Sequence, residues 1–324
     1  MVACHTRRQT LQAGVSLAGA IAGGGCLSGR SSSTDDVLTL RVGSKTFIES
    51  DFLGHLCIEL LKERDDASII NRLSYSSPTL GVWKGLTSGE IDVYWEYSGT
   101  LWHEIPPNRD TQYYELDEMY RHAKTLTEDK YDVEVLSMAP FNNSYSLITT
   151  EAWADRTGVR SVSDFAAYLN AGNTDTVAGV SPGTYEREDA WPGMLSHYDI
   201  RRETIEEWDE KRQNVLLLPT GEIYSRLVRG SVNVALRFTS DPQIEHYDLV
   251  VLDDDGNYWS VYSPAPVVPA WLSADYPEIH ALLDQLGPAI GGVDTIRRLT
   301  SELLFDDRDA SEVAREFLAQ AGLL

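Results

Sequence analysis

Short apolar strands and amphipathic helices take turns along almost the whole chain, and this alternation restricts the fold more than any other feature. Residues 37–42 alternate as a strand and lead through Gly43-Ser44-Lys45-Thr46 into a helical pattern over 47–64. Residues 68–75 read as a second strand, 79–87 as a helix and 91–94 as a third strand, followed by a helix over 116–129 and a strand over 133–137. This order predicts βαβ units and a parallel sheet. A second set begins with 145–149 and 162–169. It runs through 176–180, a helix over 186–198, 215–218, a helix over 221–229, and 232–236. Residues 249–252 and 265–268 read as strands returning to the first set, and the C-terminal third is helical. At 324 residues the chain exceeds one domain of roughly 150. Two α/β lobes joined by two crossovers are therefore expected, with 140–146 and 240–250 as hinges.

Charge narrows the classes of partner. Fifty Asp and Glu stand against 27 Lys and Arg, a formal charge of -23. Nucleic-acid binding needs a basic footprint, which this composition lacks. Only 6 of the basic residues are Lys. An acidic, lysine-poor surface suits a halophile, because carboxylates stay hydrated while a Debye length of ~3 Å at 1 M salt mutes their repulsion. An ordinary acidic exported protein is the plainer reading of the same numbers.

The N-terminus reads as an address. Arg7-Arg8 precedes an apolar segment over 11–22 that is short for a membrane span, and Gly23-Gly24-Gly25-Cys26 follows. Residues 1–25 are expected to be a twin-arginine lipoprotein signal, with Cys26 as the lipidated first residue of the exported chain. A polar, serine-rich linker over 26–37 would hold the body off the membrane. Cys57 is then left without a cysteine partner, on an amphipathic helical pattern where a buried packing role is expected.

Several motifs invite a chemical reading. Gly43-Ser44-Lys45-Thr46 lies at a strand-to-helix junction, where free N–H groups and the helix dipole favour an anion and Lys45 adds charge. A plain N-cap by Ser44 or Thr46 fits equally well. Gly179-Val180-Ser181-Pro182-Gly183 matches the G-x-S-x-G nucleophile elbow. A hydrolase would need the N–H after the serine, and Pro182 has none. No histidine pair has metal-ligand spacing, and Asp253-Asp254-Asp255 reads as solvated surface or a weak cation chelate. No metal and no cofactor are expected.

Tyrosine is the remaining signal: 16 Tyr against 7 Phe. Tyr97, Tyr145, Tyr185, Tyr224 and Tyr262 all fall near inferred strand ends or turns. Rings facing one cleft can hold a quaternary ammonium at ~0.5–2 kcal/mol each. A single tyrosine is more often half-buried packing with a wet hydroxyl.

Five segments, in order and at similar spacing, carry a resemblance. They are Gly43–Glu49, Ser88–Thr100 (Ser-Gly-Glu-Ile-Asp-Val-Tyr-Trp-Glu-Tyr-Ser-Gly-Thr), residues 139–147 with Pro-Phe-Asn-Asn-Ser-Tyr, Glu186-Arg187-Glu188-Asp189 with Pro192-Gly193, and 311–324. The chain resembles the substrate-binding proteins of osmoprotectant ABC importers of the glycine betaine, choline and carnitine type, in a haloarchaeal setting. The resemblance implies a two-lobed, periplasmic-binding-protein-like α/β fold of type II, the Venus-flytrap form, with ligand in the cleft. Lobe 1 would comprise 38–144 and 246–324, and lobe 2 would comprise 145–245. Tyr97 and Tyr145 would be cage rings with Asn143 beside them, and Lys45, Thr79, Thr100 and Arg187 would be carboxylate or polar contacts. Tyr224 and Phe238 would be aromatics of the second lobe. The chain departs from the family pattern at Ser50, at Ser77-Pro78 and at Trp95. The implied role is a lipid-anchored receptor outside the cell, not an enzyme, delivering solute to a permease and its ATPase. An exported enzyme or a ligand sensor on the same scaffold are the alternatives.

Overall fold

The computed structural model describes residues 37–74 and 79–324. The signal, the lipidation site at Cys26, most of the linker and the Ser77-Pro78 departure lie outside the described residues.

Among the described residues ten strands form three sheets. β1 (Leu38–Gly43) and β2 (Ala67–Arg72) pair in parallel, joined by the helix Ile48–Lys62. β3 (Tyr94–Tyr97), β4 (Val133–Val135) and β10 (Pro264–Pro269) form a second sheet in the order β3-β10-β4, both pairings antiparallel. A bridge between Val42 and Val93 ties the two sheets into one lobe. The other lobe is one mixed sheet in the order β7-β6-β8-β5-β9. Its strands are β5 (Tyr145–Thr150), β6 (Ala178–Val180), β7 (Val215–Leu217), β8 (Val234–Phe238) and β9 (Leu249–Val251). Only the β6–β7 and β6–β8 pairs are parallel there. The expected all-parallel sheets are thus mixed, because β5 and β10 enter each lobe from the other one and run against their neighbours.

Other expectations shift as well. The strand of the Ser88–Thr100 segment covers Tyr94–Tyr97 rather than 91–94, and Ser98 opens the short helix Ser98–His103. The expected 186–198 helix is only Trp191–His197, and a separate short helix, Pro182–Tyr185, precedes it. Pro192 lacks an N–H and clashes inside a helix, so it marks the first turn of Trp191–His197. β9 does not return to the first lobe: it pairs antiparallel with β5. Leu252 and Trp259 pack in the second lobe's core, so the chain crosses back near 260–263 rather than at 240–250.

Alternation along the strands builds the cores. Trp95 points to the cluster around Phe52, Leu56 and Leu286, whereas Tyr94 points to the cluster around Trp83, Met119 and Val267. In the second lobe Leu147 packs with Phe165 and Trp208, and its neighbour Ile148 packs on the opposite face with Ile223 and Leu227. Cys57 is fully buried and accepts a hydrogen bond from the Trp95 indole at 3.2 Å. Burial pushes its thiol up to about 12, as fits a packing residue. Trp95 is therefore a core side chain facing away from any ligand.

Candidate functional site

Between the lobes lies a cavity of about 640 Å³. Its walls are strand ends and the crossovers, where backbone from both lobes comes together. Asn143 N–H donates to Tyr262 O at 2.9 Å, Tyr262 N–H to Asn142 Oδ1 at 2.8 Å, and Thr239 N–H to Ser144 O at 2.8 Å. Three segments, 142–144, 239–241 and 260–263, are thus laced into one hinge.

On the first-lobe side, Lys45 bonds Glu96, which also accepts from Tyr94 O–H (3.0 Å) and from Tyr97 N–H (2.8 Å). Both partners are almost wholly buried. Lys45 was expected to meet a ligand anion; its charge is already met, and its ammonium also lies 5.2 Å from the centre of the Tyr97 ring. Ser50 accepts from Lys45 N–H at 2.9 Å and so holds the loop that carries Lys45. Neither Ser44 nor Thr46 caps the helix; Phe47 occupies that place, and Ser44 donates to Asp51 at 2.7 Å. The Phe47 ring, 41% exposed, stands 5.9 Å from the Tyr97 ring. Burial beside Glu49 drives the Tyr97 phenol far above its ordinary range, so it stays neutral.

On the second-lobe side, Tyr145 and Phe238 are cross-strand partners whose rings stack at 4.5 Å. Arg237 lies 5.8 Å from the Phe238 ring centre and donates to Asp241 Oδ2 at 2.9 Å. Tyr262 reaches the cavity from the returning crossover. Its ring lies over Gly99, where an added Cβ would come within 2.5 Å of it. That close approach accounts for the glycine in Tyr97-Ser98-Gly99-Thr100.

Of the sites expected from sequence, Lys45, Thr79, Tyr97 and Thr100 line the cavity from one lobe. Asn143, Tyr145, Arg187 and Phe238 line it from the crossover and the other lobe. Tyr224 does not: it is buried behind the wall, its hydroxyl on Asp241 and its ring 5.3 Å from the Arg237 guanidinium. Tyr185 does not line the cavity either and donates to Asp209 at 2.7 Å. Ser181 Oγ lies 2.8 Å from Thr184 Oγ1 at the start of a short helix. Asp254 organises its own loop, accepting from Trp259 N–H at 3.0 Å and from the Tyr198 hydroxyl.

Sequence reasoning missed Glu49, Glu104, Arg237 and Asp241, all of which line the cavity. Glu49 stood inside a quoted segment, and Arg237 precedes Phe238, which was the available signal. The three cations of the lining, Lys45, Arg187 and Arg237, pair with Glu96, Asp189 and Asp241 respectively. Glu104 adds an exposed carboxylate at the mouth. The cavity therefore offers aromatic faces and a negative electrostatic balance, which suit an organic cation.

Two α/β lobes laced at crossover strands around an aromatic-lined cleft define a two-lobed substrate-binding protein. More narrowly, residues 38–320 match the family described as the substrate binding domain of ABC-type glycine betaine transport system, and the chain belongs to it. It is 26% identical to a chemotactic signal transduction system substrate-binding protein, CosB, of Halobacterium salinarum, over 80% of this chain and 78% of that one. It is also 26% identical to the glycine betaine-binding protein YehZ of Escherichia coli, over 87% of this chain and 90% of that one. A solved glycine betaine/carnitine/choline ABC transporter protein shares the fold, with a TM-score of 0.75 at 20% identity, covering 88% of this chain and 99% of that chain.

Proposed function

We propose that this protein is the extracytoplasmic receptor of an ABC importer and binds a quaternary-ammonium solute in the cleft. The observation that carries this reading is the set of rings from both lobes, Phe47, Tyr97, Tyr145, Phe238 and Tyr262, around one cavity whose cations are all paired internally. Each desolvated ring adds ~0.5–2 kcal/mol toward a cation, and the rings converge only when the lobes close. Ligand thus shifts the population toward a closed form, which docks on a permease driven by an ATPase. No covalent chemistry is needed.

Calorimetric titration in salt with glycine betaine, choline, carnitine, proline betaine and ectoine tests the reading. Binding of a trimethylammonium compound below about millimolar supports it; binding of a neutral sugar or amino acid alone defeats it. Among the described residues no helix is long and apolar enough to cross a membrane. Attachment through a lipid at Cys26 is proposed from the Gly23-Gly24-Gly25-Cys26 run behind the apolar segment. Mass spectrometry of the mature N-terminus tests that attachment.

A second reading, a ligand sensor for a membrane signalling partner, is favoured by the likeness to the Halobacterium chemotaxis protein. Deleting the gene separates the two. Loss of solute uptake marks the importer, and intact uptake with lost chemotaxis marks the sensor.

A further inference from the structure

Glu49 is the second residue of the helix Ile48–Lys62, lines the cleft and is 4% exposed. Its Oε1 accepts twice, from the Tyr97 hydroxyl at 2.6 Å and from Asn143 Nδ2 at 2.8 Å. Its Oε2 is buried without a hydrogen-bond partner, and so is Asn143 Oδ1. The two orphaned oxygens thus belong to the same two side chains that already share a hydrogen bond. Leaving a buried polar atom unsatisfied costs about 1–3 kcal/mol, so a pair of orphans at the floor of a binding cleft calls for an explanation.

Two acceptors cannot satisfy each other unless one carries a proton. We propose that Glu49 is protonated and closes an acid–amide ring with Asn143, with Nδ2–H donating to Oε1 and Oε2–H donating to Oδ1. One proton gives both orphans a partner. The ring makes Glu49 a positioning residue: it fixes the Tyr97 hydroxyl and ties the first helix to the hinge segment that bears Asn143. It also leaves the floor of the cleft uncharged, so neither end of a zwitterion meets a bare carboxylate there.

The surroundings agree. Tyr97 faces Glu49 from β3, Asn143 from the first crossover, and Ser240 and Asp241 from the turn after β8. Burial pushes the Glu49 carboxyl above its ordinary range, and the charge of Asp241 pushes the same way. The nearby Ser240 hydroxyl and the hydrogen bonds from Tyr97 and Asn143 oppose this without reversing it. The buried cations of the lining, Lys45 and Arg237, are held by Glu96 and Asp241.

The test compares the full chain with Glu49→Gln and Glu49→Leu. Glutamine reproduces the protonated acid's shape, one N–H standing where the Oε2–H would be. Infrared difference spectra between wild type and Glu49→Gln at neutral pH should show the C=O stretch of a protonated carboxylic acid in the wild type alone. For whichever trimethylammonium compound binds the wild type, Glu49→Gln should keep affinity within about threefold. Glu49→Leu should lose about tenfold or more, since it leaves Asn143 and Tyr97 unpaired. Absence of the acid band overturns the proposal and leaves the receptor reading untouched, because that measurement uses no ligand. A loss above tenfold in Glu49→Gln also overturns it, since the site would then need the charge. Retained affinity in Glu49→Leu would remove the positioning role.

Discussion

Tyr145 and Phe238 face each other across adjacent antiparallel strands, ring centroids 4.5 Å apart and planes 23° apart. Tyr145 opens the second lobe just after the first crossover, and Phe238 ends β8 just before the hinge segment 239–241. The stack therefore sets the aromatic wall on the second-lobe side and places it where hinge motion begins. Arg237 already lies near Phe238, which makes Tyr145 the freer ring for an incoming cation.

Tyr145→Ala should weaken binding of a trimethylammonium ligand by roughly 2- to 30-fold, the ~0.5–2 kcal/mol of one cation–π contact. Tyr145→Phe should stay within a few-fold, because the ring face and the stack on Phe238 survive. Isothermal titration of both variants measures this; equal losses would show that the hydroxyl, not the ring, carries the contact.

Gly99→Ala should act on Tyr262. A Cβ there would come within 2.5 Å of the ring, which must move toward the cavity or strain the backbone. Overpacking of this kind costs about 1–3 kcal/mol of stability, and ligand affinity should fall with it. The double variant Gly99→Ala/Tyr262→Ala should regain stability in urea titration yet not affinity. Recovery of both would show that Tyr262 is packing alone.

Pocket residues in the Ser88–Thr100 and 139–147 segments were partly legible because strand ends next to turns bring local side chains to one edge. That alone left each ring as packing; Tyr97, Thr100, Asn143 and Tyr145 were named through the family resemblance those two segments carry. Glu49 was not legible as a buried acid, since its state depends on Asn143, 94 residues away, and on Ser240 and Asp241 from the far side of the hinge. β9 was misplaced for a related reason. A three-residue apolar strand carries no mark of which sheet it joins, and only pairing with β5 decides it. Tyr224 matched an aromatic position, but its neighbours Arg237 and Asp241 hold it behind the wall.

Lys45→Ala and Arg187→Ala should separate buried from exposed pairing. The Lys45 and Glu96 side chains are 10% and 0% exposed, so removing the lysine strands a buried carboxylate at a cost of about 3–5 kcal/mol. Salt should change that loss little, because the pair is shielded from solvent ions. Arg187 and Asp189 are 48% and 58% exposed, and their pair should contribute at most about 1 kcal/mol. Urea unfolding at low and high salt checks both; equal losses would contradict the burial argument.

Glu49 also sets the sign of one pH effect on stability. Its folded-state pKa is raised above the ordinary 4.5, chiefly by burial, so between these values the native state holds a proton that the unfolded chain has released. Stability contributed by this group is therefore full below 4.5 and is lost as pH rises through the folded value. Other carboxylates titrate in the same range, so the difference between wild type and Glu49→Gln is the quantity to measure. The variant should gain stability relative to wild type as pH rises above 4.5, with the two closest at the acid end. A difference that stays flat, or that grows toward acid pH, would mean that Glu49 is ionised in the folded cleft.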